Sequence, residues 1–246
     1  MRATEFEFRY RLWILVAIFV VALLCYSFDR TNVSVQVAEW LIGGSVARNS
    51  PVYRHLVQAL FGVGAALLVL AALIRTWATA YLSSDVVHDS KLHTEGLVAD
   101  GPYRYVRNPL YLGSLLMAVG FSTLASRTGF FVLIVASTIF YYRLIRREES
   151  ALLGTQGKSY LEFLATVPRL VPSLKPRAAS GDLEPRWGQA WLGEAFAWLL
   201  ACAMIVYTLT LSVPALDIII IAAFAQRPIV KRILEKNNRR GEPLFG

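Results

Sequence analysis

The stretch "PLYLGSLLMAVGFSTLASRTGFFVLIVASTIFYYRLI", residues 109–145, decides the fold. Two apolar runs, 110–126 and 129–145, flank "SRTG". Each run has about the ~17 residues that a tilted or short membrane helix needs. The four residues of their junction, 126–129, leave room only for a tight turn, so the two helices form an antiparallel hairpin. The start of the first and the end of the second must then share one membrane face. At those two points the sequence turns polar: "YRYVRN" precedes the hairpin and "RREE" follows it.

Four further stretches extend the pattern: 12–28, 56–74, 191–213 and the shorter "PALDIIIIAAFA" at 214–225. The expected architecture is an all-α, polytopic membrane helix bundle of about six transmembrane helices with a cofactor pocket at the cytoplasmic face. Composition agrees, since 56% of the 246 residues are hydrophobic and 17% charged, against a soluble norm nearer a quarter charged. The N-terminal "MRATEFEFRYR" and its apolar run are expected to be a retained anchor, because no small-x-small cleavage site follows.

Positive charge orients the set. If the N-terminus is cytoplasmic, the inner segments are 1–11, 75–109, 146–190 and 227–246, which carry most of the lysines and arginines. The outer segments carry Arg30, Arg48, Arg54 and Arg127. That distribution satisfies the positive-inside rule with both termini cytoplasmic. The net charge of +8 is therefore assigned to an anionic leaflet, and no basic stripe on a soluble module argues for nucleic acid. The partners expected are membrane lipids. Cys25 and Cys202 lie inside apolar runs, and His55, His88 and His93 are scattered, so no metal site is expected. Three units are expected: residues 1–90 as an N-terminal helix pair with its loop, 91–175 as a core built on the hairpin, and 176–246 as a Pro/Gly/Ser-rich linker with a C-terminal helix pair.

Asn108 followed by Pro109 suits a helix start, with the asparagine as cap and the proline in the first turn. "FGVGAALL" in the second helix is a small-residue packing stripe, not a nucleotide loop, because no strand precedes it. Hairpin geometry should bring Tyr103, Arg104, Arg107, Asn108 and Tyr111 towards Arg143, Arg147, Glu148 and Glu149. Carboxylates this close to an apolar run need a partner or a cavity. Glu194 and Asp217 are further ionisable groups near the last helices.

Two stretches, "LVADGPYRYVRNPLYLG" (97–113) and "RREESALLGTQGKSYLEFLATVPRLVP" (146–172), resemble the isoprenylcysteine carboxyl methyltransferases and the related phospholipid N-methyltransferases. The resemblance runs over roughly residues 92–174 and rests on two motifs in order and at matching spacing. It implies an integral membrane enzyme that moves a methyl group from S-adenosylmethionine to a lipidic or amphiphilic acceptor, a carboxylate or an amine. Carried over residue by residue, it implies a cofactor pocket from Glu95, Gly96, Leu97, Val98, Tyr103, Asn108, Pro109, Leu110, Tyr111, Glu148 and Glu149. It also implies that Arg107, Arg143 or Arg147 holds the acceptor. Where many members carry histidine, this sequence has Asn108, and two helices follow the motif region. A membrane sterol- or enone-type reductase using NADPH, and a non-catalytic membrane partner of the same fold, are the alternatives.

Overall fold

The computed structural model describes residues 2–43, 46–82, 99–181 and 183–240. Among them the chain is helical throughout its regular structure. The elements are α1 (Glu5–Arg9), α2 (Arg11–Leu24), α3 (Val33–Ile42), α4 (Pro51–Tyr81), α5 (Pro109–Ser122), α6 (Arg127–Gln156), α7 (Lys158–Thr166), α8 (Trp187–Gly193), α9 (Ala195–Thr210) and α10 (Val213–Arg240).

The hairpin forms as its sequence requires. Ser126 caps α6 by accepting from the Gly129 N–H at 3.1 Å. Before it, the Ser122 and Thr123 hydroxyls donate back to the Val119 and Gly120 carbonyls at 2.6 and 2.7 Å. These local bonds accompany the end of α5, at fourteen residues. Asn32 reaches in from the cap of α3, and its amide donates to the Thr123 and Ala125 carbonyls, both at 3.1 Å. The turn is thus held from outside as well as by its own residues.

Helix length departs from the expectation of six crossings. Among the described residues, α4, α6 and α10 are long and apolar enough to span by themselves. The pair α8–α9 makes a fourth only if its 56° bend is counted within one span. At ~1.5 Å per residue, α5 reaches about 21 Å of a ~30 Å hydrocarbon layer. Hydropathy counts apolar residues, whereas a span needs unbroken helix, and the Ser/Thr turn and the bend interrupt it.

Close packing centres on α4. The backbones of α4 and α5 meet at Gly64 and Gly120: a Cβ on Gly120 would stand 2.7 Å from the Gly64 carbonyl oxygen. The small-residue stripe therefore brings two helices to backbone contact. Leu68, Ala203 and Met204 are fully enclosed in the core shared by α4 and α9. The segment 173–186 is not a free linker. Ser173, Arg177 and Arg186 donate backbone N–H bonds to Tyr105, Arg104 and Ala80. The Asp100 carboxylate accepts from the Ser180 hydroxyl and the Gly181 N–H at 2.8 and 2.7 Å.

Candidate functional site

The two ends of the hairpin meet as the sequence requires, but the adjacent glutamates face different surroundings. Glu149 turns into a buried clamp. Its carboxylate accepts from the Asn108 amide at 3.3 Å and pairs with Arg107 at 3.4 Å and Arg169 at 2.8 Å. Asn108 therefore does not cap α5 with its side chain, although it precedes Pro109 as a cap residue would. Its amide bridges Glu149 and the Arg169 carbonyl, the latter at 3.1 Å. Arg107 donates its backbone N–H to Pro168 and its guanidinium to the Leu164 carbonyl. One carboxylate with two arginines and an amide thus fastens three separate stretches of chain. Sequence reasoning missed Arg169, which lies inside the quoted "VPRLVP".

Glu148 instead lines a cavity of about 1350 Å³. The Tyr111 hydroxyl donates to it at 2.6 Å, and the Tyr111 and Tyr141 rings meet edge-on at 5.9 Å. Asn108, Pro109, Leu110 and Tyr103 line the same cavity. Tyr103 is buried, and its hydroxyl has no hydrogen-bond partner among the described residues. Burial, followed by the nearby Glu148 charge, pushes that phenol well up, so it stays a neutral donor. A buried donor without an acceptor is costly unless something else supplies one.

Arg143 and Arg147 leave this cavity for the N-terminal segment. Arg143 forms a 2.7 Å ion pair with Glu7, and Arg147 donates to the Ala3 carbonyl at 3.1 Å. The Thr4 N–H, then Arg143, hold the Glu7 carboxyl below its usual range. Arg147 and Arg11 both lie over the Phe8 ring, at 5.7 and 4.5 Å. Glu95, Gly96, Leu97 and Val98 lie outside the described residues.

A second charged pair lines the same cavity. Glu194 accepts from Arg75 at 2.7 and 3.0 Å and from the Thr79 hydroxyl at 2.8 Å. Arg75 also donates to Ser114 and to the Leu110 carbonyl in the first turn of α5. Glu194 was visible as an ionisable residue beside an apolar run. Arg75 was not, since it sits where a cytoplasmic loop was expected, and α4 instead continues past it to Tyr81.

Arg75 on α4, Asn108 and Tyr111 at the start of α5 and Glu148 on α6 therefore line one cavity, most of whose remaining lining is apolar. Residues 59–158 match the phospholipid methyltransferase family model. No curated protein and no solved structure matches the chain. The methyltransferase match begins inside α4 and ends inside α7, so it contains Arg75, Asn108, Tyr111, Glu148 and Glu149. Arg169, Glu194 and all of α9 and α10 lie beyond it. With its long apolar helices, the methyltransferase-like stretch belongs to a membrane protein.

Proposed function

We propose that this protein is an S-adenosylmethionine-dependent methyltransferase whose acceptor is lipidic or amphiphilic. One observation carries the proposal: the polar corner at Tyr103, Asn108, Tyr111 and Glu148 opens without a wall into an apolar space lined by Phe19, Met117, Leu200, Leu216 and Ile220. A water-soluble reactant and a tailed one can meet there. Its volume, about 1350 Å³, exceeds the ~300–1,000 Å³ of ordinary small-molecule sites and leaves room for two occupants.

The residues fit the proposed cofactor. A carboxylate on the cavity wall, the aromatic faces of Tyr111 and Tyr141, and the Tyr103 hydroxyl without a protein acceptor suit a ligand with a cationic centre and hydrogen-bonding groups. When bound, S-adenosylmethionine supplies a methyl group on sulfonium, open to in-line displacement. Glu148 would offer its carboxylate to the cationic end of the cofactor, and the Tyr111 hydroxyl fixes its rotamer. The Glu149 clamp holds Asn108 and Pro109 at the mouth of α5. Held in place beforehand, these groups reduce the loss of freedom on reaching reactive geometry, worth several kcal/mol in such sites. The apolar walls exclude water from the reacting centre. Glu95, Gly96, Leu97 and Val98 join this pocket on the strength of the resemblance. Arg107 supports it through Glu149, and Arg143 and Arg147 act through the N-terminal segment that they hold.

The positive-inside distribution supports six passages, the shorter helices crossing a locally thinned layer, with both termini and the polar corner cytoplasmic. Calorimetry of the purified protein with S-adenosylmethionine tests the proposal. Binding should fall about tenfold or more in Glu148→Gln and Tyr111→Phe, each of which loses a charged hydrogen bond. Absence of binding by the unaltered protein refutes it. A labelled-methyl assay on total lipid extract then identifies the acceptor.

A further inference from the structure

Helices α9 and α10 lie outside the matched residues 59–158, yet they complete the cavity. They are antiparallel neighbours joined by a short turn. Arg227, on α10, therefore returns to the level of Glu194 at the start of α9. The guanidinium of Arg227 lies 4.7 Å from the centre of the Phe196 ring, two residues after Glu194. Phe224, one turn earlier on α10, meets the same ring edge-on at 5.1 Å. Arg227, Phe196, Glu194 and Arg75 all line the cavity that holds Tyr111 and Glu148.

Among the described residues, the Arg75 and Arg227 guanidiniums both act on the Glu194 carboxylate. Arg75 is engaged with Glu194, Ser114 and Leu110. Arg227 is different. It is stacked on Phe196, but its N–H groups have no acceptor among the described residues. It also follows the apolar run "IIIIAAFA" of a membrane helix, where an ionised side chain is costly, and the Glu194 carboxylate near it is already engaged by Arg75. Stacking fixes the plane of the guanidinium and leaves its edge open. That edge matches the paired oxygens of a phosphodiester or carboxylate.

We infer that Arg227 is a specificity-determining residue that binds the anionic oxygens of an amphiphile whose tails fill the apolar end of the cavity. Calling that amphiphile the methyl acceptor rests on the proposed methyl transfer; the anion site itself requires no cofactor. Arg227 and Glu148 line one cavity, so a zwitterionic headgroup would find a cation and a carboxylate in the same space.

The test uses the full chain in detergent and native mass spectrometry. Dioctanoyl phosphatidylethanolamine carries the phosphodiester, dioctanoylglycerol has the same tails without it, and inorganic phosphate has the anion without tails. The unaltered protein should prefer the phosphodiester lipid over dioctanoylglycerol by about tenfold or more, the usual value of a charged hydrogen bond. Arg227→Gln should abolish the preference and Arg227→Lys should retain part of it. Lys231→Gln, which alters an exposed cation on the same helix, should retain all of it. A preference that survives Arg227→Gln, or falls equally in Lys231→Gln, overturns the inference. So does inorganic phosphate binding as tightly as the lipid, since the anion is then a soluble one. Cofactor calorimetry on the same samples separates the two proposals. Lost cofactor binding with intact lipid preference removes methyl transfer alone, and the converse removes the role of Arg227 alone.

Discussion

Replacing Glu194 by alanine removes the acceptor from a buried ion pair of the bundle. Glu194 is 2% exposed and the Arg75 side chain 16%. Two guanidinium bonds at 2.7 and 3.0 Å and the Thr79 bond at 2.8 Å are lost together. Arg75 would remain charged in an apolar setting, retaining Ser114 and the Leu110 carbonyl as acceptors. Breaking a buried pair from one side costs about 3–5 kcal/mol, whereas an exposed pair is worth about 0–1 kcal/mol. The double variant Arg75→Met, Glu194→Leu should differ from the unaltered protein by only about 1–2 kcal/mol. Removing both charges also removes their desolvation cost. The Leu110 carbonyl would not be orphaned, because the Ser114 hydroxyl already donates to it at 2.9 Å. Reversible unfolding in mixed micelles measures all the variants and yields the coupling between the two sites. A single variant within about 1 kcal/mol of the parent, or a double variant as unstable as the single one, would refute the reasoning.

Gly120→Val should destabilise by about 1–3 kcal/mol or more, because the new Cβ meets the Gly64 carbonyl oxygen at 2.7 Å and backbone cannot move aside; the same unfolding measurement checks it. Arg169→Gln should loosen the Glu149 clamp, removing the 2.8 Å ion pair, and increase proteolysis of the 164–175 segment without moving α9 or α10. Asp29 accepts from the Thr128 N–H and hydroxyl and pairs with Arg127, and the Thr128 N–H is the chief cause of a carboxyl held down at about 2. A depressed carboxyl stabilises fully above its ordinary value of ~3.9 and loses that contribution as pH falls through about 2. Thermal unfolding of the parent should therefore weaken over that interval, and Asp29→Asn should flatten this part of the profile. A thermal-shift comparison of S-adenosylmethionine with NADPH should stabilise the protein with the first and leave it unmoved with the second.

What the sequence by itself determined was the hairpin and its consequence. Two apolar runs joined through the four-residue junction 126–129 can only double back, so Asn108 and Tyr111 had to meet Glu148 and Glu149, some forty positions away. The glycine stripe at 62–64 likewise marked a close helix contact, because only small residues allow one. Other features were decided by tertiary structure. Helix phase sends Glu148 to the cavity and Glu149 to the clamp, and neighbouring residues on a helix point about 100° apart whatever their chemistry. Arg143 and Arg147 are drawn aside by Glu7 and Ala3, partners more than 130 residues away in the chain. Arg75 and Glu194 are separated by 119 positions, and no local pattern announces a pair made across the bundle. The stretch that reads as a linker is docked by scattered bonds to Asp100, Arg104, Tyr105 and Ala80, which leave no trace in composition. Periodicity and spacing record what a segment must do with its neighbours in sequence; the partner of a buried charge is chosen only when the helices pack.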